Sequence, residues 1–360
     1  MAKILYCLAG EGWGHSSRSK VVLEYLLRTK DHDVKIVTSG KGYEYLRDEF
    51  NVQQIMGFQF AYKGGEVDVA NTLKENAKRL FKEGSETIKY LVKLIDEFKP
   101  DLAISDWEPF LTAVSATKDV PLISVSHVNI IGNCKLDYSK SWERERLLAL
   151  AVYKMMTVSV EYYLIPSFYF PEIRAELKAN TMLVGPVLRN EVLSKMPRDG
   201  KHVLVYVTTQ ETKDVLLPLL EKLDENFIAY GFEQGNSVCN NITFKEPSTE
   251  GFLEDLASSS VVIANTGFNV ISESLYFGKP VYTIPIHNQF EQMVNGYYLE
   301  KLGYGLYDLS PSVERVQSFL DECSQYKLNI TRDRSHFSGN NDFFRLLDSK
   351  IDAMVSRVPV

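Results

Sequence analysis

The chain has 360 residues, 45 % hydrophobic and 24 % charged, which excludes a disordered segment and leaves room for two domains of ordinary size. Its formal charge of -7 offers phosphate backbones no broad attraction, so nucleic acid is excluded as the main partner and an anionic ligand needs a local site. Cys7, Cys134, Cys239 and Cys323 are scattered without metal-ligand spacing and fit a reduced, cytoplasmic protein.

In chain order, KILYCLAG reads as a buried strand rather than a leader peptide, because it passes directly into glycines and a histidine. A helix over 17–28, the strand VKIVTS and a helix over 43–48 follow. Leu73, Ala77, Leu80, Ile88, Leu91, Ile95 and Phe98 recur at helical spacing and predict one helix over 73–98. PDLAISDW and PLISVSHV supply two more strands. Continuous apolar strands alternating with amphipathic helices indicate a parallel sheet covered on both faces. The apolar stretch 147–170 is broken by Lys154, Glu161 and Pro166, which argues against a membrane span.

The character changes over 162–189, where YYLIP and FYFPE occur, and the domain junction is placed here. The rhythm then restarts with HVLVYVT, a helix over 213–223, NFIAYGF, SSVVIANTG, a helix through Glu273, and KPVYTIP. The fold class is therefore α/β, with two Rossmann-like doubly wound domains, 1–185 and 186–339. An amphipathic helix within 340–360 is free to pack back on the first domain.

Gly10-Glu11-Gly12-Trp13-Gly14-His15 sits where the first strand ends and its helix begins. A dinucleotide-binding G-x-G-x-x-G would need glycine where His15 stands. Imidazole titrates near neutrality, so His15 at this edge is a candidate general base. Asp106, closing LAISD, emerges from the same edge and is its candidate orienter. The bland alternative has His15 as a cap and Asp106 as a helix start; His127 is a spare histidine, more simply a satisfied cleft-wall residue.

The stretch VVIANTGFNVISESLYFGKPVYTIPIHNQFEQMVNG carries the strongest signal. Its strand ends at Asn265-Thr266-Gly267, and the following helix points free amides and a positive dipole end at a pyrophosphate site. Asn269 lies in its first turn. Glu273 could accept ribose hydroxyls, and Glu291 with Gln292, followed by Asn295, could hold a sugar.

The order N-T-G-F-N, E, G-K-P, P and E-Q-x-x-N-G resembles the donor signature of GT-B glycosyltransferases, especially UDP-glycosyltransferases and peptidoglycan N-acetylglucosaminyltransferases. GEGWGHSSR resembles the G-H turn of those enzymes, and more closely that of a little-characterised archaeal and bacterial branch. The resemblance implies two domains facing across a cleft and inverting, metal-independent transfer from a UDP-linked donor, with no cofactor besides that co-substrate. It makes His15 and Asp106 catalytic. It assigns the diphosphate to Thr266, Gly267, Asn269 and the loop at Thr209 and Gln210, the base to Gly231 and Phe252, ribose to Glu273 and the sugar to Glu291 and Gln292. Asn265 stands where relatives carry histidine, Val270 where they carry serine, and Glu291 where aspartate or glutamine is common. Glu11, Trp13 and Trp107, with Tyr62 and Trp142 behind them, are candidates for a small-molecule, glycan or lipid-linked acceptor. The mixed charges of 73–98 allow weak peripheral contact with a membrane. A UDP-sugar 2-epimerase and a non-catalytic nucleotide-sugar sensor are the rival readings.

Overall fold

The computed structural model describes residues 1–59, 61–63, 66–67, 69–79 and 83–357. The chain opens with β1 (Lys3–Leu8), α1 (Trp13–Glu24), β2 (Asp33–Thr38), α2 (Gly40–Leu46) and β3 (Val52–Gln54). A two-residue ribbon, β4 (Tyr62–Lys63) and β5 (Glu66–Val67), precedes α3 (Val69–Arg79) and α4 (Ser85–Phe98). Then come β6 (Leu102–Asp106), α5 (Pro109–Thr117), β7 (Leu122–Ser124), α6 (Ile130–Asn133), α7 (Glu143–Met156), β8 (Tyr162–Pro166) and β9 (Thr181–Val184). The first sheet is parallel throughout, in the order β3-β2-β1-β6-β7-β8-β9.

The connection over 185–201 includes the short helix α8 (Asn190–Leu193). It leads to β10 (His202–Tyr206), α9 (Gln210–Leu220), β11 (Asn226–Tyr230), β12 (Ser237–Cys239), β13 (Ile242–Lys245) and α10 (Thr249–Ser258). β14 (Val261–Asn265), α11 (Phe268–Tyr276), β15 (Val281–Ile284), α12 (Phe290–Lys301) and β16 (Gly305–Tyr307) complete the second sheet. Its order is β12-β13-β11-β10-β14-β15-β16, parallel except where β12 meets β13. α13 (Val313–Asp321), α14 (Cys323–Arg332) and α15 (Asn340–Val355) end the described chain.

The strands read from apolar runs are buried on both faces, as parallel sheets require: Ile4 to Leu8 and all five residues of β14 are buried. α15 crosses back to the first sheet. Its Phe343, Leu347, Ile351 and Met354 recur on one helical face and join Ile4, Leu102 and Leu164 in one core.

Two sequence expectations are corrected. The single helix over 73–98 is two helices, α3 and α4, with Gly84 preceding the second; Leu80 lies outside the described residues. The helix after the first strand starts at Trp13, not at 17, because Gly12 turns the chain there at φ 71°. YYLIP is β8 and pairs within the first sheet, with β9 beyond it, and the connection between the sheets follows over 185–201. β12, β13 and β16 were not foreseen, since three- and four-residue strands carry too little periodicity to stand out. No described helix is long and apolar enough to cross a membrane.

Candidate active site

In each sheet the central strand has its sequence successors on one side and later strands on the other, so a crevice opens at the carboxyl ends where the order reverses. β1 and β6 flank the first crevice. Gly12 starts α1 at a φ that glycine adopts freely, and this places His15 in the first helical turn. Pairing of Leu8 with Asp106 brings the end of β6 beside that turn. Trp107 then takes a left-handed φ of 62°, a conformation costing about 1–3 kcal/mol for a bulky residue. Glu108 caps α5 behind it, accepting from the amides of Phe110 at 3.2 Å and Leu111 at 2.7 Å. Burial pushes the Glu108 carboxyl up to about 7 even though those amides pull it down.

His15 Nδ1 lies 2.8 Å from Asp106 Oδ1. Asp106 is fully buried and also accepts from Arg18 Nη2 at 2.6 and 2.7 Å and from Ser19 Oγ at 3.0 Å. Burial alone would raise its carboxyl, but Arg18 and His15 overcome that and hold it below the usual carboxylate range. An ionised carboxylate only accepts, so the proton of neutral His15 sits on Nδ1 and donates to Asp106. Nε2 keeps its lone pair. His15 is a fifth exposed and lines a cavity of about 260 Å³.

That cavity lies between the domains, since Glu11, Trp107 and Val152 from the first and Glu291 from the second share its wall. Burial raises the Glu291 carboxyl, against the lowering influence of His15 and Arg18. Trp13 is not on this wall. It is half exposed and stands edge-on to Tyr45, with Lys41 over its ring. Trp142 is buried between Tyr297 and Tyr307, and the side chain of Tyr62 lies outside the described residues.

β10 and β14 flank the second crevice. Thr209 caps α9, its hydroxyl meeting Thr212 Oγ1 at 2.8 Å, while Gln210 donates to Asp214 at 2.7 Å. Asn265 is buried and tied to protein on both sides of its amide. Its oxygen accepts from Thr208 N at 2.8 Å and its nitrogen donates to Thr212 Oγ1 and the Ile284 carbonyl. Gly267 caps α11, and the Thr266 hydroxyl is buried with no hydrogen-bond partner among the described residues. Gly231 follows β11 at φ 92°, where a Cβ would fall 2.0 Å from the Val207 carbonyl oxygen, so only glycine lets the two loops approach. Phe252 packs against Tyr206 and Tyr230, partly buried. Gln292 accepts from Ile286 N at 2.9 Å.

The two crevices face each other in contact. Asn269 Nδ2 donates to the Gly14 carbonyl at 3.0 Å and to Ser17 Oγ at 2.9 Å, which joins the first turns of α11 and α1. Arg189, from the connection between the sheets, pairs bidentately with buried Glu273 at 2.8 Å. His127 stacks on Phe268 at 4.0 Å and bonds the Pro166 carbonyl and the Asn295 side chain. It is thus a satisfied wall residue, and burial pushes its pKa down to about 4. His127 Nε2 lies 2.9 Å from the Asn295 amide oxygen; a neutral His127 that donates from Nδ1 to Pro166 needs a donor there, which the Asn295 amide supplies when its oxygen and nitrogen are exchanged.

The family described as glycosyl transferase family 1 matches residues 2–324. The chain belongs to it. An uncharacterized glycosyltransferase of Methanosarcina acetivorans is 24 % identical, with 98 % of this chain and 100 % of the relative covered. A second from that organism is 26 % identical over 84 % of this chain and 82 % of its own length. Among solved structures, the calicheamicin glycosyltransferase CalG4 is similar with a TM-score of 0.68 at 16 % identity, all of both chains being covered. MurG of Acinetobacter baumannii gives 0.62 at 12 %, covering 97 % of this chain and 99 % of that one. The fold is GT-B and the protein is a glycosyltransferase.

Two charged members of this glycosyltransferase's cleft escaped the sequence reading. Arg18 lies three residues after His15, and that helical spacing could have placed both on one face of α1. Arg189 offered no such signal, because its partner Glu273 is 84 residues away. Among the described residues, no group of three or more His, Cys, Asp and Glu side chains is arranged to hold a metal.

Proposed function

We propose that the protein transfers a sugar from a UDP-linked donor to an acceptor hydroxyl with inversion at the anomeric carbon. One observation carries this reading: His15, with Nδ1 bonded to an ionised, buried Asp106, turns its remaining nitrogen to a cavity lined by both domains. Nε2 takes the acceptor proton, the acceptor oxygen bonds to the anomeric carbon from the face opposite the nucleotide, and the bond to the diphosphate oxygen breaks. Asp106 stabilises the resulting imidazolium.

The diphosphate is received at the amino end of α11, by Thr266, Gly267 and Asn269, and by the Thr209–Gln210 loop, whose free amides and dipole compensate the leaving charge. Gly231 and Phe252 border the position of the base, and Glu291 and Gln292 that of the sugar. Asn265 serves by pinning the two phosphate loops to each other. Glu273 reaches ribose by sharing its Arg189 partner, and Asn269 reaches phosphate by releasing Gly14 and Ser17.

The test is calorimetric titration with UDP, dTDP and GDP and their hexose conjugates, followed by mass spectrometry of acceptor incubations. UDP-sugar binding and glycoside formation are expected. Absence of binding by all three nucleotides sinks the donor site, and a sugar isomerised without acceptor sinks transfer in favour of epimerisation.

A further inference from the structure

The apolar stretch 147–170 begins on α7, and the fold leaves that part of it bare. Leu147 is 54 % exposed and Met155 42 %, with exposed Ala151 between them and Val158, 39 % exposed, just past the end of the helix. Leu147, Ala151 and Met155 are four residues apart, so they form one stripe on the outer face of α7. Other exposed large apolar side chains among the described residues, such as Met196, Val238 and Leu328, stand one to an element, the ordinary background of a protein surface. Leu148, Val152 and Met156 form a second stripe one residue on, and these line the cavity beside His15. Ala151 follows Leu148, and Met155 follows Val152, at the i, i+3 spacing of helix neighbours, so the two stripes run side by side.

The rim of the bare face is basic. Arg144 and Lys154 flank the stripe and Lys140 stands in the turn before α7, all three exposed and none in an ion pair among the described residues. Glu143 on the same face is neutralised by Arg146, which donates to it at 2.8 and 2.6 Å, and Glu145 lines the cavity instead. This face is therefore locally cationic on a chain whose formal charge is -7. We propose that α7 docks the protein on an anionic lipid bilayer, with Leu147, Ala151, Met155 and Val158 in the acyl boundary and Lys140, Arg144 and Lys154 at the headgroup phosphates. At 14 residues α7 is about 21 Å long, too short to span the bilayer, so it lies in the plane of the surface. A twofold contact between copies of the chain would set these cations against their own counterparts, which makes a second copy the poorer occupant. The docked face continues into the cavity wall along Leu148 and Val152. The docking is independent of the transferase reading and is tested by binding alone.

The experiment floats the intact protein on a density gradient with vesicles of pure phosphatidylcholine or of equal parts phosphatidylcholine and phosphatidylglycerol. Binding to the anionic vesicles is expected to be about tenfold or more tighter than to the neutral ones, and to weaken as salt is raised from about 0.1 to 1 M. Leu147→Ser with Met155→Ser is expected to lower vesicle affinity about tenfold or more, and Arg144→Gln with Lys154→Gln about as much, while Arg144→Lys retains most of it. These side chains are exposed, so the thermal midpoint of each double variant is expected to stay with that of the parent, which separates lost docking from lost folding. Leu328→Ser, at a leucine 64 % exposed on α14, is the control and is expected to float as the parent does. The proposal is overturned if the parent binds neither vesicle, if neutral vesicles are bound as well as anionic ones, if either double variant floats like the parent, or if the control loses as much as the apolar double variant. A concentration-dependent dimer in sedimentation velocity that disappears in Leu147→Ser with Met155→Ser would overturn it in favour of a second copy on this face.

Discussion

Arg18 and Asp106 form a buried ion pair in which one guanidinium nitrogen lies 2.6 and 2.7 Å from the two carboxylate oxygens, while the same carboxylate accepts from His15 at 2.8 Å. Arg18 and His15 both come from α1, one helix turn apart, and the carboxylate from the end of β6. The arrangement keeps Asp106 charged inside the protein and therefore keeps it an acceptor, which fixes the tautomer of His15. Arg18 Nη2 also lies 3.2 Å from His15 Nδ1.

Removing the guanidinium is expected to be costly. Arg18→Met leaves a buried carboxylate with His15 and Ser19 alone, and loss of one partner of a buried pair costs about 3–5 kcal/mol. Urea denaturation at pH 7 reads the loss. Asp106 is depressed in the fold, so its contribution is present above the unfolded carboxylate range and fades as pH falls below it. The variant's destabilisation is accordingly expected to shrink in acid.

Asp106→Asn tests tautomer control separately from charge burial. An amide at this position can donate to Nδ1, which moves the imidazole proton to Nε2 and removes the base. A fall in kcat of about 10²–10⁴ is expected, matching His15→Ala, with UDP affinity within about threefold of the parent. A donor affinity that collapses in His15→Ala would instead make the histidine a binding residue.

The bonds from Asn269 to Gly14 and Ser17 close the cleft at the amino end of α11. Asn269→Ala is expected to favour the open arrangement by about 0.5–1.5 kcal/mol, the net worth of an ordinary hydrogen bond. Faster amide exchange in the first turns of α1 and α11, with unchanged exchange in β1 and β14, is the readout. Uniform exchange throughout would show that the contact does not hold the domains.

His127 gives the fold an acid limit. Its pKa is pushed down to about 4, so the folded state binds its proton less readily than the unfolded state, where histidine titrates near 6.5. Stability from this group is complete above about pH 6.5 and is lost as pH falls toward 4, by about 3 kcal/mol in all. The difference in unfolding free energy between the parent and His127→Gln, measured from pH 7 to 4, is expected to shrink by that amount. Taking the difference cancels Glu108, whose raised carboxyl acts in the opposite sense: its contribution is present below about pH 4.5 and lost as pH rises through about 7.

Local pattern made much of this architecture readable. Five-residue apolar strands such as β6 and β14 stand out because parallel strands bury both faces, and glycines next to strand ends mark the turns where ligands meet backbone. Length decided what was missed: β12 and β16 have three residues each. One long helix was read over 73–98 because a period-3.6 pattern survives a short interruption, and only the chain's path shows the break before Ser85.

The sequence by itself determined two α/β units, the positions of both glycine turns and the candidacy of His15, because each depends on residues close together in the chain. Tertiary structure alone decided what those residues touch. Asp106 is 91 positions from His15, and their contact exists because β6 inserts beside β1 in register. The same folding ties Asn269 to α1, pairs Glu273 with Arg189, turns Trp13 away from the cavity and lines that cavity with α7. Hydrophobic periodicity specifies which face of an element is buried; the partner on that face is set by sheet order, which no local pattern encodes.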